Sequence, residues 1–379
     1  MVLTSAQEKD FLARGYSRRS FGRLAAMVAA APAMPFFNEP ALAQRSGSRS
    51  LPSGAVKLDA NENPLGPCPE AAEAVRAIVQ DGGRYMFDYP SEFESLMAQA
   101  EGLQPGYVQA YPGSSMPLHW AVLAFTSPSR PYVTADPTFE AGEAAARFVG
   151  AKVIRVPLTK AYAHDVRAMA SAHPDAGLIY VCNPNNPTGT LTTRPDLELL
   201  LSSKPAGSVV LLDEAYLQYT NERGASDLVA AGKDLVVLRT FSKIYGMAGL
   251  RAGAALARPD LLARIRFYGN TWMPITSLAG AIASLKAKNL VAERANAVSA
   301  SRGDLFRFLD QNGFSYLPAA ANFFMVDVRR PGRDVAAALR QQGVYVGRSW
   351  TSFPNHIRVT IGTKTEMERF KDALLKASG

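Results

Sequence analysis

Six short apolar or β-branched runs, at residues 131–135, 153–157, 178–182, 209–212, 235–238 and 252–256, recur along the chain, with helical patterns such as 139–149 and 195–203 between several of them. Strands that are apolar on both faces and joined by helices find burial in a mostly parallel sheet with helix cover on each side. The pattern therefore predicts an α/β fold with a three-layer αβα body, whose ligands sit at the carboxyl ends of strands, where loops and helix N-termini converge. From about Ser277 the texture changes to a long helical stretch through 312, then 323–328, 344–346, 357–361 and a closing helix, which reads as a smaller α+β domain. The expected division is an arm or linker at 44–75, a large domain at 76–275 and a small C-terminal domain at 276–379. The net charge of +8 is spread over 379 residues with no basic block long enough to track a phosphate backbone, so nucleic acid is not an expected partner. His119, His164, His173 and His356 form no His-x-x-x-His pair and the two cysteines no Cys-x-x-Cys, so no metal site is expected.

The first forty residues read as an address. Ser17-Arg18-Arg19-Ser20-Phe21-Gly22-Arg23 precedes a moderately apolar run, 24–37, and then Ala41-Leu42-Ala43, a small-x-small cleavage pattern. That order predicts a twin-arginine export signal over 1–43 and a periplasmic mature protein with no membrane association. The alternatives are a chance Arg pair before an amphipathic helix, or a short anchor. The run holds 14 residues and two prolines, too short and too broken to span about 30 Å of hydrocarbon. Twin-arginine systems carry folded proteins, which suits a chain that loads a cofactor in the cytoplasm. Cys68 and Cys182 would then meet an oxidising compartment, and the sequence leaves open whether they pair.

Three expected strand ends carry polar groups. The run 207–212 leads straight into Asp213-Glu214-Ala215-Tyr216; an isolated strand-end Asp is more often a helix N-cap. The run 235–238 leads through Arg239-Thr240 to Phe241-Ser242-Lys243, with Gly246, Gly249, Leu250 and Arg251 beyond; an isolated Lys is usually a solvated charge. The run 178–182 opens into Asn183-Pro184-Asn185-Asn186-Pro187-Thr188-Gly189, which alone is a tight turn. Together they present an amide, a carboxylate and an amine at one edge of a sheet.

Pyridoxal phosphate needs this set. An amine must condense with its aldehyde, which a Lys in a suitable neighbourhood can do. A buried carboxylate must keep the ring nitrogen protonated so the ring can absorb a carbanion's electrons. The phosphate needs a cradle of backbone N–H groups, hydroxyls and an Arg.

The segments 183–189, 213–216 and 240–251 resemble those of the fold-type-I pyridoxal-phosphate-dependent aminotransferases. Leu58-Asp59-Ala60-Asn61-Glu62-Asn63-Pro64 and Arg84-Tyr85 resemble the histidinol-phosphate aminotransferase group, and the match runs from about Val56 to the C-terminus. The resemblance implies that Lys243 is the Schiff-base lysine and shuttling acid/base, that Asp213 pairs with the ring nitrogen, and that Asn186 and Tyr216 bond the phenolic oxygen. It implies Phe139 as the ring-stacking aromatic, and Ser114, Ser115, Ser242 and Arg251 as the phosphate cradle. Tyr85 would reach the phosphate of a neighbouring subunit in a homodimer. Arg358, Asn322 and Asn63 would serve the substrate, with the carboxylate on Arg358 and Asn322, and Arg348 would lie near the position of an Arg for a substrate phosphate.

Each residue also has a plainer reading: Phe139 as core, Arg251 and Arg358 as ion-pair partners, Ser114 and Ser115 as an N-cap pair. An Arg inside Ile357-Arg358-Val359 nonetheless calls for an anionic partner. The chain departs from the family at Gly113-Ser114-Ser115-Met116, where relatives usually read Gly-Ala/Ser-Asp-Glu. The implied activity is ping-pong transfer of an amino group between an amino acid, or histidinol phosphate, and a 2-oxo acid. An exported enzyme suits a free amino acid better than a phosphorylated biosynthetic intermediate. Decarboxylases, lyases and oxidases share the frame, and a non-catalytic periplasmic binder of the cofactor or of an amino acid is the alternative of another class.

Overall fold

The computed structural model describes residues 5–17, 52–269 and 272–378. The twin-arginine motif and the cleavage pattern lie outside the described residues, apart from Ser17. The strands are β1 (Val56–Leu58), β2 (Val108–Tyr111), β3 (Tyr132–Asp136), β4 (Val153–Pro157), β5 (Leu178–Cys182), β6 (Val209–Asp213), β7 (Leu235–Thr240), β8 (Gly253–Leu256), β9 (Ser315–Tyr316), β10 (Phe323–Asp327), β11 (Val344–Val346) and β12 (His356–Thr360).

Seven of them form one sheet in the order β2-β8-β7-β6-β5-β3-β4. The pairs from β4 through β7 are parallel, while β8 runs antiparallel to both β7 and β2. Alternation along each strand feeds two cores. Ile179, Val181, Val210 and Leu212 face one, with Phe93, Met97 and Leu278 from the helices Asp88–Glu101 and Ile275–Lys286. Leu178, Tyr180, Val209 and Leu211 face the other, with Leu118, Ala145 and Ile265 from the helices Ser115–Phe125, Ala141–Phe148 and Pro259–Arg266. Burial on both faces is what the unbroken apolar runs require, and the three-layer expectation holds.

The small domain has its own core, in which Phe324, Val326, Ile357 and Val359 of the antiparallel sheet β12-β10-β9 meet Leu305, Leu339 and Phe370. Two boundaries differ from the sequence reading. β1 pairs in parallel with β11, so part of the expected arm belongs structurally to the small domain. The helical stretch expected from 277 to 312 is two helices, Ile275–Lys286 and Leu290–Gln311. Asn289 separates them at φ +59°, a left-handed conformation that Asn tolerates better than most residues and that a continuous helix cannot contain.

The helix Ser5–Ala13 lies on the large domain. Phe11 and Tyr16 are buried there, and the Arg14 guanidinium donates to the carbonyls of Leu123 and Thr126 and to the Tyr268 hydroxyl. Among the described residues no helix is long and apolar enough to cross a membrane.

Candidate active site

The carboxyl ends of β5, β6 and β7 converge on one pocket, lined among others by Ser114, Ser115, Phe139, Asn186, Asp213, Tyr216, Ser242, Lys243 and Arg251. Asp213 is the last residue of β6, in register with Cys182, not the first residue beyond the strand. It is only 4% exposed. Its Oδ2 accepts from the Tyr180 hydroxyl at 3.1 Å and its Oδ1 from the Ala215 N–H at 3.2 Å. Burial pushes the carboxyl up to about 6, although the Tyr180 and Ala215 hydrogen bonds and the charge of Lys243 pull the other way. A carboxylate held out of water at that cost is poised for a cation.

Lys243 lies three residues past β7 and is 7% exposed. Its Nζ donates to the Ala60 carbonyl at 3.1 Å and stands 5.5 Å from the Tyr216 ring centroid. The Tyr216 ring meets Phe323 edge-on at 4.8 Å, and its hydroxyl accepts from Asn61 Nδ2 at 3.1 Å. Asn61 is itself fixed by Thr360, which accepts its backbone N–H at 3.0 Å. The segment before β2 therefore supplies the wall opposite the strand ends.

The anion cradle forms at the start of the helix Ser115–Phe125, for which Ser114 is the N-cap. Gly113 has φ +83°, and a Cβ there would fall 2.3 Å from Arg251 Nη2. Glycine is thus required both for the turn and for the arginine's approach. Arg251 Nη1 donates to Ser242 Oγ at 3.1 Å, and burial lowers the Arg251 pKa, with no acidic side chain raising it. A helix N-terminus, three serines and a desolvated guanidinium suit a phosphate, so the residues present fit the cofactor that the sequence implied.

On the substrate side Arg358 is 1% exposed in β12; it donates to Asn186 Oδ1 at 2.7 Å and to the Asp59 carbonyl at 2.5 Å. Asn322 donates to the Asn61 carbonyl at 3.2 Å, while its buried Oδ1 has no partner. Asn63 is turned to a structural task, donating to the Ile244 carbonyl and accepting from the Leu65 N–H. Arg348 is paired with Glu140. Tyr85 lies outside this pocket, 71% exposed, in a surface cluster with Phe87 and Trp272. Cys68 and Cys182 are both buried and form no disulfide.

The sequence reading missed three contributors. Tyr180 sits inside an apolar strand whose composition gives no hint of its bond to Asp213. Asn61 belongs to a motif already quoted and could have been found there. Glu140 follows Phe139, and its partner is 208 positions away.

Residues 53–374 match the family model described as aminotransferase class I and II. The chain is 37% identical over 332 residues to the histidinol-phosphate aminotransferase of Moorella thermoacetica, covering 84% of each protein. It is 34% identical over 329 residues to the aromatic amino acid aminotransferase of Cutibacterium acnes, covering 85% of this chain and 92% of that one. Among solved structures it resembles the histidinol-phosphate aminotransferase of Sinorhizobium meliloti in complex with pyridoxal-5'-phosphate, with a TM-score of 0.81 and 25% identity over 92% of this chain and 96% of that one. The L-threonine-O-3-phosphate decarboxylase of Porphyromonas gingivalis shares the fold alone, at 20% identity and TM-score 0.73 over 85% of this chain and 98% of that one.

Proposed function

Because the chain belongs to the class I and II aminotransferases, and is a pyridoxal-phosphate-dependent transaminase like its relatives, we infer that it moves an amino group between an amino acid, or histidinol phosphate, and a 2-oxo acid at the pocket around Lys243. The observation that carries this reading is that a buried amine and a buried carboxylate line one pocket beside an anion cradle.

When bound, pyridoxal phosphate supplies an aldehyde that a primary amine can condense with and a ring that accepts the electron pair released at the substrate's α-carbon. Lys243 would hold the group through its Nζ, and that amine, once freed by the donor's amine, would take the proton from the donor's α-carbon and give it back later in the transfer. Asp213 would, ionised, keep a proton on the ring nitrogen; Tyr180 and the Ala215 N–H hold its two oxygens. Asn186 and Tyr216 would bond the phenolic oxygen and Phe139 would cover the ring face. Ser114, Ser115, Ser242 and Arg251 hold the phosphate. Arg358, anchored by Asn186 and Asp59, would bind the substrate carboxylate, and Asn322, whose Nδ2 lies against the Asn61 and Glu62 carbonyls, would donate to it.

The working unit in this reading is a homodimer, with Tyr85 completing the neighbour's phosphate site. Its support is the exposed ring cluster of Tyr85, Phe87 and Trp272, an apolar patch of the kind that marks interfaces. Export by the twin-arginine route, with cleavage after Ala43 and a periplasmic mature chain beginning at Gln44, rests on the sequence alone and is tested by sequencing the N-terminus of the secreted protein.

The purified protein should be yellow and should convert amino donors to 2-oxo acids only when an acceptor oxo acid regenerates the cofactor. Release of carbon dioxide or peroxide without an acceptor would favour a decarboxylase or oxidase instead. A colourless protein that binds amino acids without turnover would mark a binder.

A further inference from the structure

The Arg348–Glu140 pair joins the small domain to the large one directly after Phe139, which lines the pocket. Arg348 follows β11 of the small domain; Glu140 follows Phe139 of the large one. The contact is a fork on a fork: Nη1 donates to Oε1 at 2.8 Å and Nη2 donates to Oε2. Such bidentate pairs are the strongest a guanidinium makes with a carboxylate. The same guanidinium stacks on the Trp350 indole, 4.4 Å from the ring centroid. Arg358 approaches that indole too, at 5.4 Å. The pair and the carboxylate-binding Arg358 therefore meet at one indole. Beside them Trp350 and Phe353 belong to one buried apolar cluster, against which Tyr162 packs with its ring 5.8 Å from that of Phe353.

We propose that Glu140 determines specificity here: by occupying Arg348 it disfavours donors with a phosphate or second carboxylate and favours amino acids with an uncharged side chain. The proposal rests on the aminotransferase reading and deepens it. An incoming anion would have to displace a carboxylate already bonded through two N–H groups, and would then lie beside it as a like charge. The pair is accessible for that contest, with side chains 21% and 35% exposed. The backbone fixes the arrangement. A Cβ at Gly347 would stand 3.0 Å from both Nε and the carbonyl oxygen of Arg358, so a side chain is crowded out at 347 and the cation falls at 348, where Glu140 meets it.

The test uses the full-length holo-protein and its Glu140→Ala and Glu140→Gln variants. Phenylalanine, glutamate and histidinol phosphate are compared in single half-reactions without acceptor, and binding constants are taken from the change in the visible spectrum. Wild type should prefer phenylalanine. In both variants the ratio of kcat/KM for the anionic donors to that for phenylalanine should rise by about tenfold or more, through tighter binding of the anions, and Arg348→Met added to Glu140→Ala should remove the gain. An unchanged ratio, equal losses for all three donors, or a wild type that prefers histidinol phosphate would overturn the proposal. A wild-type protein with no visible band and no turnover of any donor would overturn the reading beneath it, and this proposal with it.

Discussion

Replacing Asp213 by Asn should stabilise the cofactor-free protein while crippling the enzyme. The carboxyl is raised from 3.8 to about 6, chiefly by burial, which corresponds to about 3 kcal/mol against the charged form at neutral pH. Between those two values the folded state binds more protons than the unfolded one. Stability of the cofactor-free wild type therefore falls as pH rises from about 4 through about 6 and is level above that. Asn carries no charge at any pH and keeps the local bonding, its Oδ1 accepting from the Ala215 N–H and its amide donating to the Tyr180 oxygen. Urea unfolding of both cofactor-free proteins isolates the difference, because every other group titrates alike. At pH 7.5 the variant should be the more stable by up to about 3 kcal/mol, and that margin should shrink by about 1–2 kcal/mol at pH 5. Saturating cofactor should stabilise wild type more than the variant, and turnover of the variant should fall by orders of magnitude. A variant less stable than wild type at pH 7.5, or a margin that ignores pH, would refute the electrostatic account of this residue.

His164 is buried and its pKa is pushed down to about 4 by desolvation. The unfolded chain then binds more protons between about 4 and 6.5, so about 3 kcal/mol of stability should be lost as pH falls through that window, and His164→Gln should flatten the acid limb of a melting curve against pH. Arg239 lies buried between Glu101 and Glu214, donating to Glu101 at 2.7 Å. Arg239→Met strands two carboxylates and should cost about 3–5 kcal/mol in denaturant unfolding, whereas a loss under about 1 kcal/mol would show that the pair is replaceable.

The buried strands were legible because their apolar runs are uninterrupted and end abruptly in polar residues; β5, β6 and β7 each lie within two residues of the expected span. β1 and β2 were not, because Val56-Lys57-Leu58 and Val108-Gln109-Ala110-Tyr111 are short, carry polar residues and sit at sheet edges. In the site, Lys243, Asp213, Asn186 and Arg251 were found through local context, and the fold brings them to one pocket. Tyr180 and Glu140 escaped notice because each gains its meaning from a partner across the fold, Asp213 for one and Arg348 for the other. Asn63 shows the converse: its motif was legible, yet its side chain tethers the backbone of Ile244. A motif fixes residue types, whereas packing decides which of its two amides, Asn61 or Asn63, reaches the Tyr216 hydroxyl.

Borohydride reduction of the yellow protein, followed by proteolysis and mass mapping, tests the assignment of Lys243 most directly. The account predicts one phosphopyridoxyl adduct, on the peptide containing Lys243, with the visible band lost in step. An adduct on any other lysine, or a band that survives in Lys243→Ala, would contradict it.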